Sequence, residues 1–290
     1  MARPSVASVP DSSPTAPSAP SAPSPAPLLA PGLRVVTRGR DHLQVGLHPG
    51  RRVVLPRTPA VERVLAALLE RQPPGDDPAS GSVLERLRRA RCLDDRRPGT
   101  PGPVAVLGGW PRAGPAVAEL LAGSGVPLTR WPSRAAVVLV LAEGELDRDL
   151  LDPLLRRRTP HLVVRLVDGA ALLGPFVQPG ATACLRCLDA HGSVTDPDLV
   201  AVTTRYLRAT QRPRADGEPD VADPVLPVLA LTWAVRDVLT HLGGRTPSTW
   251  SRTVHVGADG ALPEVETWSP HPECGCCWAA DARSSGTMGS

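Results

Sequence analysis

From Leu33 the apolar positions come in short, β-branched runs, "LRVVTRGRDHLQVGLHPGRRVVLP", divided by His-Pro-Gly, and predict strands joined by tight turns. The period then changes. In "TPAVERVLAALLERQ" the residues Val61, Val64, Leu65 and Leu68 fall on one helical face, with Thr58 placed as N-cap and Pro59 in the first helical position. After the loop "PPGDDPASG", the stretch "SVLERLRRARCL" has Val83, Leu84 and Leu87 in a stripe, and Ser82 with Glu85 spaced as a capping box. Strands followed by two short helices over residues 32–98 predict a small winged-helix-like α+β module.

Beyond "DDRRPGTPG" the pattern alternates. "PVAVLGGWPRAGPAVAELLAGSGV" reads as a buried strand, a glycine turn and a helix; a short strand near 126–131, the buried strand "AAVVLVLA", a helix "DRDLLDPLLRR" and the strand "HLVVRLVDG" follow. Such alternation predicts a Rossmann-like parallel sheet over residues 103–280. Helices are expected in "DPDLVAVTTRYLRATQ" and in "DPVLPVLALTWAVRDVLTHL", the latter opened by Asp223 and Pro224 and closed by Gly243. Asp196 and Asp198 read as a turn and cap ahead of the first of these, in preference to a catalytic carboxylate pair. "ALPEVETWS" reads as a C-terminal strand. Residues 1–31, a Pro, Ala and Ser tract, and residues 281–290 are expected to be disordered tails.

Composition changes this picture little. The chain of 290 residues has no lysine, asparagine or isoleucine, and this bias follows the codons of a GC-rich genome. A formal charge of +3 supplied by arginine therefore argues only weakly for nucleic acid. Prolines interrupt every candidate signal core near the N-terminus, and Arg236 with Asp237 divide the longest apolar stretch, so no membrane span is expected and the reading is a cytoplasmic protein. In a reducing compartment, cysteines point to metal or redox chemistry before disulfides.

"CLRC" at Cys184–Cys187 and "CGCC" at Cys274–Cys277 carry that chemistry. Structural zinc takes four thiolates in a tetrahedron, and a CxxC turn aims two sulfurs at one point. The expected ligands are Cys184, Cys187, Cys274 and Cys277, with Cys276 as the alternative fourth through a CxC arrangement; a redox pair and inert thiols are the competing readings. Zinc here would staple a late loop of the sheet to the C-terminal strand. Arg186 is expected to lower the thiolate pKa values. His191 and His271 neighbour the clusters and read as residues supporting the ligands or as surface residues, in preference to ligands, and Cys92 reads as a buried core thiol.

"HLVVRLVDGAALLGPFVQPGATACLRCLDAH", followed by "HPECGCCW", resembles the ThiF-type, ubiquitin-activating-enzyme-like family, in which two cysteine pairs bind zinc beside a nucleotide-binding sheet. It is most similar to the actinobacterial cyclodehydratase-related, leader-peptide-binding branch of azole-modified (TOMM) peptide biosynthesis. ThiF-type domains are commonly homodimers. The resemblance implies a leading winged-helix module that takes a precursor peptide as an added strand and a partner enzyme, a YcaO-type cyclodehydratase, docked on the sheet domain. Leu43, Val45 and Leu47 would then line the strand, and Arg86, Arg88 and Arg89 would attract acidic leader residues.

The chain departs from what adenylation in this family needs. Gly108, Gly109 and Gly114 keep a glycine turn, but Pro111 stands at its middle position and removes an N–H where phosphate would bind. "VPLTRWPSR" has no carboxylate for a ribose, and no lysine is available for the phosphates. The sequence thus implies a degenerate nucleotide site without ATP and a non-catalytic peptide-binding protein. A divergent ATP-dependent adenylyltransferase is the alternative, and a winged-helix DNA-binding regulator, with the "RLRRARC" stripe on phosphates, is the further one.

Overall fold

The computed structural model describes residues 27–94, 101–110, 113–212, 214–217 and 223–276. The chain divides between residues 95 and 96 into two compact units. In the first, β1 (Leu28–Leu29) pairs antiparallel with β5 (Leu93–Asp94), so Leu28 and Leu29 belong to the fold and the expected N-terminal tail ends earlier than residue 31. Between them β2 (Val35–Arg38), β3 (His42–Val45) and β4 (Val53–Pro56) make an antiparallel sheet in that order.

Two helices close the unit. α1 (Pro59–Leu69) starts as expected, with Thr58 Oγ1 accepting from the Val61 N–H at 3.3 Å, and buries Val61, Val64, Leu65 and Leu68. α2 (Pro78–Arg89) starts a turn earlier than the capping-box spacing implied. Asp77 is its N-cap: one carboxylate oxygen accepts from Ala79 N and Ser80 N at 3.0 Å each, and the other from Ser80 Oγ at 2.7 Å. These bonds, led by that from the Ser80 hydroxyl, hold the Asp77 carboxyl below the usual carboxylate range. Ser82 lies inside the helix, and Glu85 pairs with Arg88 and Arg89 on its exposed side. An Asp-Pro pair outcompetes a Ser in this setting because the carboxylate serves two orphan N–H groups and Pro78 needs none.

The second unit is built on a six-stranded sheet in the order β11-β10-β9-β8-β7-β6. β6 (Val104–Gly108), β7 (Val137–Glu143) and β8 (His161–Val167) run parallel, with α3 (Ala113–Ala122) between the first two and α4 (Asp152–Arg156) between the last. The wholly parallel sheet expected from the alternation is corrected from here on. β9 (Ala170–Val177) folds back on β8, and β10 (Arg252–Val256) and β11 (Glu264–Thr267) are antiparallel as well. The reversal happens at Asp168-Gly169, with φ of 53° and 72°. Two successive positive φ values make the turn whose twist suits a hairpin, and Asp-Gly is its usual sequence.

Two further expectations are revised. The strand near 126–131 is a single bridge, Leu128 to Val104, so β6 is the edge of the sheet. The helix expected across 147–157 is a 3-10 turn, Arg148–Leu151, followed by the short α4, because Pro153 has no N–H to continue the ladder from one into the other.

One sheet face packs Val137, Leu139, Leu141, Leu162, Val164 and Leu166 against α3 and α7 (Val225–Leu242), whose Leu226, Ala230, Leu231, Ala234, Val235 and Val238 are buried. The other face is covered by Leu151, Leu154 and Leu185. The last of these opens α5 (Leu185–Thr195), which leads through the Asp196 turn into α6 (Leu199–Thr210). Among the described residues, α7 is the one helix long and apolar enough to span a bilayer. It is nonetheless anchored in the protein by Asp237, a buried carboxylate that accepts from the N–H and hydroxyl of both Ser248 and Thr249 at 2.6–3.0 Å.

Candidate metal centre

α5 begins immediately after Cys184, which leaves the Cys184 sulfur at the entry to the helix and Cys187 in its first turn, with the Cys187 N–H on the Cys184 carbonyl at 3.0 Å. The second pair arrives on the segment that follows β11. His271 caps a 3-10 turn, Pro272–Cys274, through Nδ1, and Gly275, in the left-handed region at φ 75°, swings the chain so that Cys276 faces back. Cys187 to Cys276 measures 3.4 Å between sulfurs, Cys184 to Cys274 3.5 Å and Cys184 to Cys187 3.8 Å, and all four sulfurs lie within 4.8 Å of one another.

A zinc ion with sulfurs at about 2.3 Å needs tetrahedron edges of about 3.8 Å. The observed separations match that, and they are far too long for disulfides. Cys184, Cys187, Cys274 and Cys276 can therefore hold a metal ion. Cys276, the alternative fourth ligand, is one of these four, and Cys277, the residue expected from the CxxC spacing, lies outside the described residues.

The electrostatics favour a cation at the centre. Cys187 is held well below the usual thiol range because its neighbours, Cys184 first and then Cys274 and Cys276, hydrogen-bond to it, with the His271 N–H adding a bond at 3.3 Å. The same hydrogen-bond sharing, with Cys187 first for Cys184 and Cys184 first for Cys276, pushes these two thiols upward, and burial and like charge from the neighbouring sulfurs add to it. A divalent ion among the sulfurs removes that opposition for Cys184 and Cys276. Arg186 takes no part: its guanidinium pairs with Asp149 at 2.6 Å and Asp152 at 3.3 Å, so the expected depression of the thiols by this arginine is corrected.

A polar cluster that the sequence reading missed ties α5 to the sheet. Arg165 on β8 meets both oxygens of Glu145, at 2.9 and 2.8 Å, and Arg148 bridges Glu145 to Asp189 of α5. Burial pushes the Glu145 carboxyl up, but Arg165 and Arg148 outweigh it and hold it below the usual range. The only sequence signal was an arginine inside an apolar strand.

The other singled-out residues are dispersed. Leu43 and Val45 lie in the core of the first unit and β3 is its central strand, so these side chains are closed to a peptide; Leu47 is exposed. Arg88 and Arg89 are engaged by Glu85, whereas Arg86 donates to the Val54 carbonyl at 2.7 Å. Cys92 is buried in the same core, and burial pushes its thiol up.

At the glycine turn, Gly108 sits at φ 69° where a Cβ would meet the Leu141 carbonyl at 2.2 Å, so a tight approach of β6 to β7 is what demands this glycine. Gly109 and Gly114 face open space, and Pro111 lies outside the described residues. In the stretch where the sequence offered no carboxylate, Arg130 lies over the ring of Trp131 at 4.7 Å.

No protein-family model matches the chain, and no curated protein sequence does. Solved structures do match in fold. The heterocyclase TruD is 18% identical with a TM-score of 0.63, the match covering 88% of this chain and 43% of that one. E. coli MccB is 13% identical with a TM-score of 0.51, over 87% of this chain and 96% of that one. MccB with AMPCPP and MccA gives 13% and 0.54, over 87% and 99%. The chain thus spans less than half the length of TruD.

Proposed function

We propose that this chain is a ThiF-like, zinc-stapled protein of peptide-natural-product (RiPP, TOMM-type) biosynthesis that binds a precursor peptide and presents it to a partner enzyme, without carrying out adenylation itself. The observation behind this reading is the fold likeness, extending over 88% of the chain, to a heterocyclase, together with the likeness to MccB, a microcin C7 biosynthetic enzyme solved with MccA. In this reading the first unit is the winged-helix-like peptide module and the second a degenerate Rossmann-like ThiF sheet. Structural zinc joins α5 to the segment after β11 through Cys184, Cys187, Cys274 and Cys276.

The peptide would add as a strand on β4. Arg57 N donates to the Asp41 carbonyl, and the pairing register places Leu43 opposite Leu55 two positions further on. Alternation of the antiparallel ladder then turns the Val54 peptide group away from β3, toward the open edge. α2 flanks that edge, and Arg86, at present bonded to the Val54 carbonyl, is positioned to exchange that acceptor for an acidic peptide side chain. A YcaO-type cyclodehydratase is the partner the resemblance implies, and a homodimer is compatible with it.

Fluorescence anisotropy of the full chain with labelled precursor peptides encoded beside its gene tests this: micromolar or tighter binding is expected, and no binding to any of them removes the reading. A divergent adenylyltransferase draws on the open space at Gly109 and on the likeness to MccB solved with AMPCPP. Peptide-dependent ATP–pyrophosphate exchange would establish it in place of the first reading.

A further inference from the structure

On a helix, positions i, i+3 and i+7 share one face. Cys187 and His191, four positions apart, share such a face of α5, and Cys184, its N-cap, stands at the entry to it. The segment after β11 lies along this stripe rung by rung. His191 Nε2 meets the Ser269 carbonyl at 2.9 Å, Cys187 meets the His271 N–H at 3.3 Å and the Cys276 sulfur at 3.4 Å, and Cys184 meets Cys274 at 3.5 Å. A carbonyl can only accept, so Nε2 of His191 carries the proton and donates it. The same ring packs against His271 edge-on at 4.8 Å and against Trp268 at 5.9 Å. Trp268 is held from the sheet side, its backbone N–H on the Ser251 carbonyl at 2.8 Å and its indole on Thr253 at 2.9 Å. Among these rungs, that of His191 is made without sulfur.

Cys184 and Cys187 are 1% and 0% exposed, whereas Cys274 and Cys276 are partly open to solvent. Among the described residues the open side of this site is therefore the C-terminal turn, and an ion that passes on that side requires the turn to lift from α5. We infer that His191 is the latch on this movement: a positioning residue that holds 269–271 on the helix and sets how fast the four-cysteine site exchanges its metal. The inference rests on the metal reading given above.

Zinc transfer from the full-length protein to excess chromogenic chelator tests it. His191→Ala is expected to release zinc about tenfold faster, the lower end of what loss of a supporting partner costs a metal site. His191→Gln, whose amide N–H can still reach the Ser269 carbonyl, is expected to stay close to the wild-type rate, and the urea midpoint of the zinc-free protein to be similar in all three. Wild-type exchange in His191→Ala, or exchange in His191→Gln as fast as in His191→Ala, would overturn the latch while leaving the metal site standing. A wild-type protein that neither carries nor takes up zinc removes both together.

Discussion

Two residues show how position, more than residue type, assigns chemistry in this chain. Cys276 and Cys277 are neighbours of identical chemistry; spacing habits favour the second, which lies outside the described residues, and the turn through Gly275 delivers the first to within 3.4 Å of Cys187. Cys276→Ser is therefore expected to abolish stoichiometric zinc, and Cys277→Ser to retain it, as read by elemental analysis of the purified variants. His161 is buried at the foot of β8 with Nδ1 on the Thr159 carbonyl at 2.9 Å and no partner for Nε2 among the described residues. Burial pushes its pKa down to about 4. Above the unfolded value of about 6.5 the ring is neutral in both states and pH has no effect through it. Between about 6.5 and about 4 the unfolded chain takes up a proton that the folded one refuses, so stability is lost as pH falls, by about 3 kcal/mol. Urea titrations at a series of pH values should show this slope in the wild type, and His161→Leu should remove most of it.

At the scale of elements, helix faces were legible and helix starts less so. The apolar period predicted the buried residues of α1 without error, because a helix on a sheet must bury one stripe whatever its surroundings. The start of α2 differs from the one expected because Ser82 and Glu85 satisfy the capping-box spacing, whereas the Asp77 carboxylate accepts from two orphan N–H groups ahead of a proline that has none to satisfy. Asp77→Ala should thus lower the urea midpoint of the first unit clearly, and Ser82→Ala should change it little, the reverse of what the capping-box spacing implies. Strand direction was the larger miss. The Asp168-Gly169 dipeptide is a hairpin signal that the reading of the sequence did not use, and β9 is an apolar run that a parallel strand could equally supply, so its pairing with β8 and β10 is what separates the two.

For the whole molecule, the four cysteines are where distant parts of the second unit meet. α5 is carried by the sheet through Arg148, Glu145 and Arg165, and the C-terminal segment by Trp268, so a metal there closes a long loop of chain. A ligand that binds only the folded state stabilises it by mass action, and removing it should lower the unfolding temperature of the second unit. Differential scanning calorimetry with and without a zinc chelator is expected to show that downward shift, reversed by added zinc. Acidification should act in the same direction, because thiolates are the ligands and metal occupancy falls as they are protonated. What the sequence determined by itself was local: the N-cap and buried face of α1, the turn at Asp196 and the two cysteine motifs that the fold brings together. The approach of Cys276 to the first cysteine pair, the antiparallel half of the sheet, the burial of Leu43 and Val45 and the pairing of Arg186 away from the thiols were decided by tertiary structure. Periodicity reports only whether a side chain faces inward, while partner and direction depend on residues far along the chain that packing alone brings together.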